Sequence, residues 1–181
     1  MTATKPLRKI AIVGPESTGK STLSLQLAKH FGVPWVAEYA RYYCQALEQA
    51  CTWQDEINML HGQIALEESI IAQTETDFII CDTTILTVKI WSEAFFGRCP
   101  EVVLDALKKR HYDFYVLLDI DLPWEDDPLR DFPEQREHFL NVWHQELQSL
   151  GANYRLVAGL GSKRFENALA AINQFLDSAK S

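Results

Sequence analysis

Short apolar runs alternate along this chain with longer stretches in which apolar residues recur at helical spacing. Lys9–Val13, Trp35–Glu38, Phe78–Cys81, Phe114–Leu118 and Tyr154–Val157 have the length and apolar character of buried strands. Between the first two, Leu23, Leu27 and Phe31 give a helix one apolar stripe, and Gly32 and Pro34 close it. Ile57, Leu60, Ile64 and Ile71 predict a longer helix after Trp53. Phe139, Val142, Trp143, Leu147 and Leu150 predict another, ended by Gly151, and Phe165, Leu169, Ile172 and Leu176 a terminal one. Strands that alternate with helices in this way predict an α/β fold with a central, mostly parallel five-stranded sheet flanked by helices. Asp119–Glu137 breaks the rhythm, with Asp, Pro, Arg and Glu crowded together and almost no apolar periodicity. It reads either as a solvated loop or as a mobile lid over about 120–137.

Composition fits one domain over residues 1–181, since 47% of the residues are hydrophobic and 23% charged. The 17 Lys and Arg stand against 25 Asp and Glu, a net charge of −8, which is the opposite of the balance a phosphate-backbone binder needs. Nucleic acid is therefore not the expected partner. The basic stretch Met1–Lys9 is followed by an apolar run that stops at Gly14, too short for a signal peptide or a membrane span, so a cytoplasmic protein without a membrane partner is expected. Cys44, Cys51, Cys81 and Cys99 form no C-x-x-C pair and read as reduced, mostly structural thiols, and the five histidines show no metal-ligand spacing. Oligomeric state is not legible.

The chemistry concentrates at the ends of the predicted strands. Gly14-Pro15-Glu16-Ser17-Thr18-Gly19-Lys20-Ser21 fits G-x-x-x-x-G-K-[ST] and lies between a strand and an amphipathic helix. Its glycines let the backbone turn its amides toward polyphosphate oxygens. Lys20 would reach the β- and γ-phosphates and the Ser21 hydroxyl would ligate Mg²⁺. Asp82 ends the third strand, where it would orient Mg²⁺ or cap the next helix together with Thr83 and Thr84. Glu38 ends the second strand, with Arg41 three residues on. The pair could accept a hydroxyl proton and hold a polar acceptor group, or form a plain salt bridge. Arg130 and Arg136, among Asp126, Asp127 and Asp131, are either solvated surface arginines or lid residues that bring positive charge to a transferring phosphate. Trp124 opens the same segment and could stack on a base.

Taken together, Gly14–Ser21, Glu38-Tyr39-Ala40-Arg41, Asp82-Thr83 and Trp124-Glu125-Asp126-Asp127-Pro128-Leu129-Arg130 resemble the ribosylnicotinamide kinase domain of the NadR family and the related NadR-like P-loop ATPases. The resemblance runs from about Lys9 to the last helix. It implies a P-loop NTPase of the nucleoside- and nucleotide-kinase type. Its co-substrates would be ATP and Mg²⁺, and the γ-phosphate would pass to the 5′-hydroxyl of nicotinamide riboside, giving nicotinamide mononucleotide. Carried over by position, Gly14, Glu16, Ser17, Thr18, Gly19, Lys20, Ser21 and Thr22 bind ATP, with Ser21 and Asp82 on Mg²⁺. Glu38, Tyr39, Arg41, Asp82 and Trp124 face the acceptor, and the catalytic set is Lys20, Asp82, Glu38, Arg130 and Arg136. The sequence departs from the family pattern at Thr84, where Asp-Thr-Asp is usual, and at Pro128, where glycine is usual. No counterpart of the adenylyltransferase and DNA-binding domains of full-length members is found in it, so neither of their roles is expected. The competing readings are a nucleotide-binding switch that phosphorylates no small molecule, and a kinase for another nucleoside or cofactor precursor.

Overall fold

A computed structural model describes residues 7–178; residues 1–6 of the basic N-terminal stretch and residues 179–181 lie outside the described residues. Five strands, β1 (Arg8–Val13), β2 (Trp35–Val36), β3 (Phe78–Asp82), β4 (Phe114–Leu118) and β5 (Tyr154–Val157), form one sheet in the order β2-β3-β1-β4-β5. Every pairing is parallel. The helices are α1 (Lys20–Phe31), α2 (Tyr39–Gln45), α3 (Trp53–Gln73), α4 (Ile85–Phe96), α5 (Glu101–Lys109), α6 (Arg136–Ser149) and α7 (Ser162–Ser178).

Because strand side chains alternate between faces, the sheet divides the core in two. Ile10, Ile12, Ile80, Val116 and Leu118 pack toward α1 and α7. Ala11, Val13, Ile79, Cys81 and Leu117 pack on the other side, with Leu60 of α3, Leu86 of α4, Val103 of α5 and Leu147 of α6. All of these are buried, as a parallel sheet covered on both faces requires. Gly32, in the left-handed region at φ 65°, ends α1 by returning its N–H to the last turn. Thr52 and Asp55 cap α3 reciprocally, side chain to backbone in both directions.

The sheet departs from the pattern-based expectation mainly at β2. Expected over Trp35–Glu38, it ends at Val36, because Glu38 already stands at the N-cap of α2. β1 begins one residue early and β3 runs one residue on to Asp82, the register pairing Arg8 with Phe78 and Ile12 with Asp82. That register sets Asp82 beside the end of β1, just before the Gly14 turn. No helix among the described residues is long and apolar enough to cross a membrane.

Candidate active site

The loop between β1 and α1 is built by local geometry that its sequence dictates. Gly14 has φ 141°, and a Cβ there would meet the Leu118 carbonyl oxygen at 2.9 Å, so only glycine lets the loop run this close to β4. Gly19, at φ 77°, takes the N-cap of α1 and leaves the first amides of that helix free of side-chain capping. Inside the loop the Thr18 hydroxyl and Lys20 Nζ each donate to the Pro15 carbonyl at 2.8 Å.

Asp82 is buried, 1% exposed. Its carboxyl is raised above the ordinary aspartate range by burial, against the opposing effects of the Ser21 hydroxyl, Lys20 and Arg41. Oδ1 has no hydrogen-bond partner among the described residues. The α4 N-cap is Thr84, whose hydroxyl accepts from the Leu86 amide at 3.2 Å, so Asp82 is not engaged in capping. An oxygen-only pair, one hydroxyl and one carboxylate with a free oxygen, suits Mg²⁺, which takes one or two protein ligands and fills the rest from phosphates and water. Among the described residues no cluster of three His, Cys, Asp or Glu competes for a metal.

Glu38, at the start of α2, is half-buried on the cavity wall. Burial pushes its carboxyl up to about 7; the Asp82 charge adds to the rise, and Lys20 and Arg41 oppose it. Glu16 is likewise pushed up to about 7 by burial, although it accepts the Asp131 amide at 2.9 Å. Arg41 forms an ion pair with Asp127 at 2.6 Å, which spans from α2 to the irregular segment after β4.

That segment is fastened to the P-loop at several points. The Glu125 amide donates to Ser17 Oγ at 2.8 Å, and Arg130 reaches the Glu125 carbonyl and Ser17 Oγ. Arg136 donates to the carbonyls of Leu122 (2.8 Å) and Ser17 (3.1 Å). It is also the first residue of α6, so the segment expected to run to Glu137 ends in a short 3-10 turn at Gln135. Pro128 occupies the second position of a turn in which Asp127 accepts the Leu129 and Arg130 amides, a place where a fixed φ is compatible with the backbone.

Gly14, Glu16, Ser17, Thr18, Gly19, Lys20, Ser21, Thr22, Glu38, Arg41 and Arg130 line a single cavity of about 1290 Å³. Four other expected site residues, Tyr39, Asp82, Trp124 and Arg136, are not on its wall. Tyr39 packs on α3 at Gly62, where a Cβ would come within 2.0 Å of its ring, and its amide donates to Gln63 Oε1. Trp124 turns its indole N–H to Asp126 at 2.8 Å. Arg136 gives Nη1 and Nη2 to the two carbonyls, and its buried Nε has no hydrogen-bond partner among the described residues. Asp82 keeps its carboxyl beside the Ser21 hydroxyl.

One residue of this site has no motif. Arg164, near the start of α7 and 5% exposed, donates to the carbonyls of Gly159 and Asp119 at 2.8 and 3.2 Å, donates to the Thr18 carbonyl, and pairs with Asp121. It thereby ties the P-loop to the ends of β4 and β5. The signal was weak, an arginine in a polar helical turn, Ser-Lys-Arg-Phe-Glu.

The AAA-domain family model matches residues 9–164. The trifunctional NAD biosynthesis/regulator protein NadR of Salmonella typhimurium is 31% identical over 151 residues, covering 78% of this chain and 36% of that protein. NadR of Escherichia coli is 29% identical over 157 residues, 81% of this chain and 38% of that one. The chain therefore spans little more than a third of these relatives. Among solved structures, NadR in complex with NR superposes with a TM-score of 0.78 at 18% identity, over 93% of this chain and 50% of that one. Thymidylate kinase from Ehrlichia chaffeensis superposes with a TM-score of 0.63 at 12% identity, over 94% and 100%. The fold is thus that of P-loop nucleoside and nucleotide kinases, and the chain belongs to the AAA-domain family of P-loop proteins and is homologous to NadR.

Proposed function

We propose that this chain is a kinase that uses ATP and Mg²⁺ to phosphorylate the 5′-hydroxyl of nicotinamide riboside, giving nicotinamide mononucleotide. The observation that carries the reading is one continuous cavity of about 1290 Å³, which joins the P-loop to an aromatic chamber and carries the Glu38 carboxyl on its wall. Its size exceeds that of ordinary single-ligand pockets, as a site for two substrates requires. The homology to NadR, and the NadR structure with NR, support nicotinamide riboside as the acceptor.

In this mechanism the loop amides and Lys20 hold the β- and γ-phosphates, and the segment over about 120–137 acts as a lid that brings Arg130 to the transferring group. Arg136 acts through the backbone it holds. Ser21 and Asp82 would hold Mg²⁺, which when bound supplies charge neutralisation at the phosphate oxygens. Glu38 takes the proton of the 5′-hydroxyl as that oxygen bonds to the γ-phosphorus. The bond from phosphorus to the bridging oxygen breaks and ADP leaves. A carboxyl near 7 is matched to this task at neutral pH. Most of the remaining work is positioning and charge stabilisation.

The test is ADP release from the purified chain with Mg-ATP, with and without nicotinamide riboside. Stimulation by the riboside supports the reading. Tight nucleotide binding with no stimulation would overturn it in favour of a switch.

A further inference from the structure

Phosphate chemistry does not account for the half of the cavity remote from the P-loop. The α4 N-cap Thr84 and Thr87, Val88, Trp91 and Phe95 of α4 lie on one helical face, and all of them line the cavity. One face of α4 therefore runs along its depth, about 10 Å from Thr84 to Trp91 at the helical rise of about 1.5 Å per residue. Met59, Phe96, Phe139 and Trp143 complete an apolar, largely aromatic enclosure at the far end.

Onto this wall α3 brings a single carboxyl, Glu56, which is 1% exposed. One of its oxygens lies 3.8 Å from the Cys51 thiol. The other, Oε2, is buried without a hydrogen-bond partner, and so is the Thr87 hydroxyl. Glu56 joins no ion pair among the described residues. It is not a cap, since Thr52 and Asp55 already cap α3, and its polar side-chain neighbours are the Cys51 thiol and the Ser92 hydroxyl, the latter also buried without a hydrogen-bond partner. A buried carboxyl with one oxygen unsatisfied costs stability. A costly, half-satisfied carboxyl on the wall of the cavity points to a ligand.

We propose that Glu56 selects the acceptor: its free oxygen receives the positive charge or an N–H donor of a flat heteroaromatic base held in the aromatic enclosure, so that a cationic base is preferred over a neutral one of the same shape. This rests on the acceptor reading given above. The titratable groups that face Glu56 are Asp55 on its own helix, Cys51 in the preceding loop, Cys44 of α2 and Cys99 after α4, with the Ser92 hydroxyl of α4 beside it. None of them is a cation, so a cationic ligand would meet no competing positive charge at this carboxyl. Burial pushes the carboxyl up to about 7, and the preference for a cation should widen as the pH rises past that value.

The experiment measures equilibrium binding of two probes, nicotinamide riboside, whose pyridinium ring is cationic, and its neutral 1,4-dihydro form, to the wild-type chain and to Glu56→Gln and Glu56→Asp. Wild type is expected to bind the cation roughly ten-fold or more tightly than the neutral form at pH 8, and less selectively at pH 6. Glu56→Gln should bring the two within about two-fold of each other at both pH values, and Glu56→Asp should keep part of the preference. Mg-ATP affinity, measured alongside, is expected to be unchanged in both variants and reports that they are folded. A preference that survives in folded Glu56→Gln, or its absence from wild type, overturns the proposal. Because binding is read and not turnover, selective binding without ADP release would count against the kinase reading alone. Failure of wild type to bind either probe would overturn both.

Discussion

Replacing Arg164 by Ala removes a side chain that joins three loops at the phosphate site. Its guanidinium meets the carbonyls of Thr18, Asp119 and Gly159 and the carboxylate of Asp121, at 5% exposure. Three hydrogen bonds from a charged donor, at about 1.5–3 kcal/mol each, would sum to more than the whole loss, because water can reach part of the space vacated. Breaking a buried charge pair costs about 3–5 kcal/mol, and the exposed position of Asp121 favours the lower end, about 3 kcal/mol. For a chain of this size that lowers the melting temperature by roughly 6–12 °C. Since Thr18 belongs to the P-loop, the KM for ATP should rise well beyond the KM for the acceptor. Arg164→Lys, with a point charge able to satisfy one carbonyl at a time, should recover less than half of either effect. Thermal denaturation and steady-state kinetics with each substrate varied are the assays. A fall under about 2 °C with an unchanged KM for ATP would refute the claim that this arginine holds the loop.

Two further changes probe the carboxyls. With Glu38 as the base, the deprotonated form is active, so turnover should rise with pH through about 7 and level off above it. Glu38→Gln should lower kcat by roughly 10²–10⁴-fold and abolish that rise; a wild-type rate that falls over the same range would contradict the assignment. Burial raises the Glu56 carboxyl from the ordinary 4.5 to about 7 in the folded chain, so its contribution to stability is fully present below about 4.5 and is lost as the pH rises through 7. Glu56→Gln should therefore gain on wild type by up to about 3 kcal/mol between pH 4.5 and 8. Denaturant melts across that range would show the two curves diverging, and parallel curves would exclude an uncompensated carboxyl.

What was legible in the sequence was whatever local pattern alone decides. The P-loop announces itself because phosphate binding needs two glycines, a lysine and a hydroxyl at fixed spacing, and the central strands β3 and β4 because each is covered on both faces. α4 was not legible, since Ile85, Leu86, Thr87, Val88 and Ile90 are all buried and leave no polar face to set a period. A helix turn was expected at Arg41 and α2 supplies it, but its seven residues, none buried, set no apolar period that would fix its extent. Glu38 was placed at a strand end and Tyr39 and Trp124 at the acceptor, because residue type and motif position carry no information on where a side chain turns. Gly62 and Asp126 decide that for Tyr39 and Trp124. Arg164 and Glu56 were missed for the opposite reason. Each looks like an ordinary polar residue near a helix start, and each acquires its role only when elements far apart in sequence close around it.

The central claim is tested most directly by product analysis of the reaction with Mg-ATP and nicotinamide riboside, with ADP and nicotinamide mononucleotide quantified together. The account predicts the two in equal amounts, and turnover lowered by roughly 10²–10³-fold in Lys20→Ala, which loses a charge aimed at the transferring phosphate. ADP formed without the mononucleotide, or the mononucleotide formed equally fast by Lys20→Ala, would contradict it.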